Sequence, residues 1–117
     1  MVAWAEIVAY VRREEGAAEY AHPLNKVWAC IPEVVAGLGW GVEAVDDVAH
    51  RVRVKTWSGL FAWGSVFLID VVAVSDGTTR VNVRAETPVT AITGLVDFGR
   101  TGQMIGVFFQ ELQRQLG

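Results

Sequence analysis

Few side chains in this chain are equipped for chemistry, and their spacing limits what that chemistry can be. His22 and His50 are its two histidines and Cys30 its single cysteine. No cysteine or second histidine stands at metal-ligand spacing from either histidine, so the sequence encodes no structural zinc pattern. Asp46, Asp47 and His50 could offer two carboxylates and an imidazole to a hard cation. The same Asp-Asp pair between two strand-like runs reads more simply as a solvated turn. Cys30 lies among Trp28, Ile31 and Val34, the setting of a buried, inert thiol. The serine-hydrolase elbow, the zinc-protease pair, the P-loop and the dinucleotide fingerprint are all absent. Gly37-Leu38-Gly39-Trp40-Gly41 is glycine-rich, but it follows a helix and precedes a strand. A phosphate cradle needs the reverse order, with helix N-terminal amides facing the anion. No cofactor is implied.

Two segments have a functional reading beside a structural one. Asp97-Phe98-Gly99-Arg100-Thr101-Gly102 immediately precedes the last helical pattern. Helix N-terminal amides with Arg100 could hold a carboxylate or phosphate; the preferred reading is that Asp97 or Thr101 caps the helix and Arg100 pairs locally. In Trp57-Ser58-Gly59-Leu60-Phe61-Ala62-Trp63, four large apolar residues flank a Ser-Gly break where a connection is normally polar. The preferred reading is a strand pair whose aromatics close the end of the core. The alternative is an apolar tip that touches a partner, a lipid or a membrane surface, with Arg51, Arg53 and Lys55 nearby. An enzyme would have to draw on Asp97, Arg100 and Glu86 or His50. Acid–base work needs groups that converge, and the sequence shows no convergence. The enzyme reading is therefore the weaker one.

The elements that must position these residues follow from periodicity. Trp4, Ile7, Val8 and Val11 share one helical face, which favours an accessory helix over residues 1–15, with a strand as the alternative. Residues 17–22 read as a short strand ending in a turn at Pro23. Leu24, Val27, Trp28, Ile31, Val34, Val35 and Leu38 form a helical stripe over residues 24–38. Pro32 interrupts it, giving one kinked helix or two in tandem. Strands are predicted over 40–45, 50–57, 65–75 and 78–86, with Asp76-Gly77 as a hairpin turn. A final helix is predicted over 101–116, with Ile105, Phe108, Phe109, Leu112 and Leu116 inward. The outcome is an α+β fold: an antiparallel meander with a kinked N-terminal helix and a C-terminal helix packed on one face. Strand 67–74 is apolar on both sides, so its second face should be partly covered, by the N-terminal element, another subunit or a ligand. Asp70 on that face is placed to pair with an arginine of a neighbouring strand.

Composition sets the outer bounds. The 117 residues fit one domain, 1–117, able to bury a core without staples. A hydrophobic fraction of 52% with five Trp and five Phe points either to a rich core or to apolar surface that meets a partner. The net charge of −3 argues against a nucleic-acid partner, which would need a clustered basic surface. The longest apolar stretch, 66–74, is too short to span a bilayer and is broken by Asp70. No signal peptide is evident, and a cytoplasmic location is the default expectation.

Val27-Trp28-Ala29, Gly39-Trp40, Trp63-Gly64, the run from Thr79 through Arg84, and Asp97-Phe98-Gly99-Arg100 occur in an order that resembles small bacterial domains of unknown function. The Pro-Leu-x-Lys-Val-Trp segment at residues 23–28 is similar to the first helix of START-like, helix-grip lipid-binding domains. The chain departs from the first pattern at Thr101-Gly102 and at Ala85-Glu86-Thr87, and it is short for a full helix-grip fold. The resemblance implies that fold with an apolar cavity, and carries over no catalytic residue. The functional expectation is a non-enzymatic binding domain for an apolar small molecule or lipid, with a homodimer through the second sheet face as the alternative. Trp28, Trp57, Leu60, Phe61, Trp63, Asp97 and Arg100 are the candidate contact residues.

Overall fold

Alternation and stripe together dictate the architecture. The computed structural model describes residues 11–56, 65–88 and 100–117. The elements are β1 (Val11–Tyr20), α1 (Leu24–Gly37), β2 (Gly41–Asp46), β3 (Arg51–Lys55), β4 (Val66–Ser75), β5 (Thr78–Pro88) and α2 (Arg100–Leu116). Every strand pairing is antiparallel, in the order β1-β5-β4-β3-β2. Strands β2 to β5 form the expected meander, and β1 adds to the far side of β5. Val52 and Val54 of β3, Phe67, Ile69 and Val71 of β4, and Val81, Val83 and Ala85 of β5 are buried on one face. Both helices lie on that face. α1 buries Val27, Ile31, Val34 and Val35 against it, and α2 buries Ile105, Phe108, Leu112 and Leu116. Among the described residues no helix is long and apolar enough to cross a membrane.

The structure bears on three expectations. Residues 11–15, where a helix was favoured, belong to β1 instead. Ten residues of β1 pair with β5, from Val11↔Pro88 to Tyr20↔Thr79, and this ladder overrides the local helical period. Residues 1–10 lie outside the described part. α1 is one continuous helix through Pro32, which sits on its solvent side, so the lost backbone bond does not expose the core. β1 lies in the plane of the sheet, so residues 11–20 do not cross the second face of β4. Leu68 is half-buried there between Arg53 and Arg84, its register neighbours, whose aliphatic stems shield it. The expected ion pair is present: Arg51 Nε lies 2.8 Å from Asp70 Oδ1.

α1 ends in a way that delivers the next strand. Gly39 has φ +76°, its N–H donates to the Ala36 carbonyl, and the Trp40 N–H donates to Val35. These are the two bonds of a Schellman cap, which wants glycine at the left-handed position and an apolar residue after it. Trp40 is thereby turned back over the buried face.

α2 is tied to the sheet at β1. Gly16 passes beneath it so closely that a Cβ there would stand 2.9 Å from Ile105 Cγ2 and 3.2 Å from Phe109 Cε2. One turn along, the Tyr20 hydroxyl donates to the Phe109 carbonyl at 3.2 Å. Burial pushes the Tyr20 phenol up to about 12.

Three outcomes follow. Gly16→Val should destabilise the protein by about 1–3 kcal/mol in urea unfolding, the cost of overpacking. Gly37→Ala, where a Cβ meets nothing within 4 Å, should be neutral or stabilising. Tyr20→Phe should cost about 0.5–1.5 kcal/mol at neutral pH. The phenol's folded value lies above its unfolded value of about 10, so that group's contribution is complete below pH ~10 and lost as the pH rises through ~12. Alkaline unfolding should therefore be shallower in the Phe variant.

Candidate functional site

The helix-covered face holds a continuous aromatic cluster. Trp40 meets Phe67 edge-on with ring centroids 5.0 Å apart, and stacks over Phe108 at 6.4 Å and 15°. Phe108 in turn meets Phe109 edge-on at 5.7 Å. Offset and edge-to-face pairs of this kind add to the area they bury. Phe67 and Phe108 are fully buried, whereas Trp40, Phe109 and Met104 are only partly covered and form the margin of the core. Three elements contribute: the Schellman cap sets Trp40, β4 sets Phe67, and consecutive positions of α2 set Phe108 and Phe109. The sheet beneath α2 is lined by small residues, Gly16, Ala18 and Ala85. Thr56 and Ser65 are the buried polar groups nearest its end, and they satisfy one another. Thr56 Oγ1 donates to the Ser65 carbonyl at 3.2 Å and accepts from the Ser65 N–H at 3.1 Å.

The opposite face carries charge in columns. From β1 to β2 the outward residues run acidic (Glu15, Glu19), basic (Arg80, Arg84), largely apolar (Val66, Leu68, Val72), basic (Arg51, Arg53) and acidic (Glu43, Asp46). Arg84 pairs with Glu15 at 3.3 Å, Arg80 with Glu19 at 3.7 Å and Arg53 with Glu43 at 3.2 Å. A shallow trough of about 920 Å³ opens on this face between Glu15 and Asp46, floored by Leu68, Asp70 and Asn82. Its arginines face carboxylates across the strands, so it offers balanced charge rather than an apolar socket. The columns are also symmetric about β4. An aligned face-to-face dimer would set arginines against arginines, which opposes that assembly.

Of the sequence-derived candidates, Trp28 and Arg100 fall within the described elements. Trp28 lies away from the aromatic cluster: its Nε1 donates to Asp47 Oδ1 at 3.3 Å and its ring meets His50 edge-on at 5.2 Å. Arg100 is the first residue of α2. Trp57, Leu60, Phe61, Trp63 and Asp97 lie outside the described residues. His50 and Glu86 do not converge. The His50 carbonyl accepts from Val71, which registers with Val81, five positions along β5 from Glu86.

Asp46, Asp47 and His50 behave as a turn. Asp46 Oδ1 accepts the N–H groups of Val48 and Ala49, both at 3.0 Å. The Ala49 amide, above all, holds the Asp46 carboxyl below its ordinary range. His50 takes φ +55° to close the turn. Among the described residues no group of three or more His, Cys, Asp or Glu is arranged for a metal ion. The sequence did not single out Trp40, Phe67 or Phe109 as a site. The signal available was Gly39-Trp40 followed by the adjacent phenylalanines of the last stripe.

With this geometry the chain can be compared with known proteins. No family model matches it, and no curated protein does. Solved structures do. Norcoclaurine synthase from Thalictrum flavum, in complex with dopamine and hydroxybenzaldehyde, superposes with a TM-score of 0.71 at 10% identity, covering 95% of this chain and 89% of that one. The Zhui aromatase/cyclase from Streptomyces sp. R1128 gives 0.61 at 9% identity, covering 92% and 97%. Ara h 8.0201 gives 0.62 at 11% identity, covering 92% and 99%. The fold is helix-grip. At these identities the likeness concerns the backbone alone, and it agrees with the START-like resemblance of residues 23–28.

Replacing Asp46 with Ala should lower the unfolding midpoint at pH 7. Because the folded carboxyl is depressed, its contribution is present above the unfolded value and lost as pH falls. The gap between wild type and Asp46→Ala should therefore narrow on moving from pH 7 to pH 3 in matched denaturant titrations.

Proposed function

We propose that this chain binds an apolar small molecule or lipid, without transforming it, between the sheet and α2 beside Trp40. The observation that supports this is the gradient in the aromatic cluster, from fully buried Phe67 and Phe108 to partly covered Trp40, Phe109 and Met104. A margin of large, polarizable groups next to a packed core gives a guest apolar area to cover at little reorganisation. Binding sites for small molecules are lined in this way, with a few polar groups for orientation. One of the similarly folded proteins holds dopamine and hydroxybenzaldehyde, two small aromatic molecules. The non-catalytic part of the reading draws on the separation of His50 from Glu86, which leaves no acid–base pair assembled from these two groups.

Native mass spectrometry of the purified protein and titration with a fluorescent fatty-acid probe test the proposal. The expected result is a one-to-one complex with a change in tryptophan emission. Trp40→Leu, folded by circular dichroism, should weaken the probe about tenfold, the worth of about 50 Å² of apolar contact at roughly 25 cal/mol per Å². An empty protein that binds neither the fatty-acid probe nor a small aromatic dye would end this reading.

A further inference from the structure

We propose that the outer edge of β2 is a docking site for an extended segment of another protein, alternating apolar and basic residues, that adds to the sheet as a further strand. The sheet order leaves β2 outermost, and among the described residues nothing pairs with its second edge. An edge strand presents backbone donors and acceptors to any extended chain of suitable pattern. The pattern here is readable from both faces.

On the helix side, Val42 and Val45 register with the buried Val54 and Val52, so all four point the same way. Yet Val42 is 46% and Val45 54% exposed. On the other side stand Glu43 and Asp46, with Asp47 just beyond the strand. Arg51 is engaged by Asp70, and Arg53 pairs with Glu43. Arg51 is shared between Asp70 and its register partner Asp46, so with Asp47 the rim of β2 keeps a small excess of carboxylates. An incoming strand that placed apolar residues beside Val42 and Val45, and lysine or arginine beside Glu43 and Asp46, would complete both faces.

The other edge of the sheet shows the contrast. In β1, Tyr20 is buried, Gly16 lies beneath Ile105 and Phe109, and Glu15 and Glu19 are answered by Arg84 and Arg80. β1 is likewise outermost, but α2 packs on its inner face and its outward carboxylates are matched one to one by arginines of β5. A second copy of this chain is a poor partner for β2, since pairing β2 with itself would set carboxylates against carboxylates. The bulge between Val42 and Ala44 increases the local twist, which suits a short partner segment rather than a long strand.

The test uses the full chain, labelled for NMR, with a synthetic peptide alternating valine and lysine. Amides of residues 41–46 should shift and exchange more slowly on titration. A peptide alternating valine and glutamate should leave them unchanged. Glu43→Lys should weaken the valine–lysine peptide by roughly threefold, the scale of one cross-strand charge pair, while Glu15→Lys on β1 should not. Shifts confined to β1 or to residues beneath α2, no response at millimolar peptide, or a dimer paired through residues 41–46 would each overturn the proposal. The fatty-acid titration reads a different surface, so the two proposals can fail separately.

Discussion

The fold depends on how closely α2 can lie on the sheet. That distance is set at Gly16, where the strand has no side chain and the helix sets Ile105 and Phe109 into the gap. A helix held further away would leave Phe108 and Leu112 short of the core and would open the ring contacts of Phe108 with Trp40 and Phe109. The Tyr20 hydroxyl reinforces the same junction by reaching the Phe109 carbonyl. The aromatic margin beside Trp40 depends on this close contact.

The uncovered face solves a different problem. A sheet with helices on one side only must keep its other side from associating indiscriminately. Here arginine columns on β3 and β5 flank the apolar middle strand and lean toward carboxylates on the edge strands and on Asp70. Exposed ion pairs of this kind contribute little stability individually. Their arrangement shields Leu68 with aliphatic stems, and its symmetry disfavours stacking of two such faces.

Much of this was legible in the sequence where one periodicity had no competitor. The alternation of β3 and β5, the Asp76-Gly77 turn and the stripes of α1 and α2 all appear within a residue or two of their predicted places. β1 was legible only in its last residues, because the helical period through Val11 competed with a pairing of residues 11–15 to β5 that no local pattern can reveal. Pro32 announced an interruption, but at a solvent-facing position a helix can carry the proline and continue. For the candidate site, Trp28 stood out by spacing, yet it turns toward Asp47 and His50. The rings that do assemble come from three separate places, and only the capping glycine at 39 hinted that Trp40 would be directed inward. The apolar 57–63 segment and Asp97 fall outside the described residues.

The addition of β1 to β5 has a kinetic meaning as well. The meander from β2 to β5 is made of neighbouring hairpins, whose closure costs little chain entropy. The strand that opens the described chain instead finds its partner near the other end, and α2 then settles on both. High sequence separation slows such closures. The junction at Gly16 is thus assembled from the segments that meet last, so the route to the native state ends where its tightest packing begins.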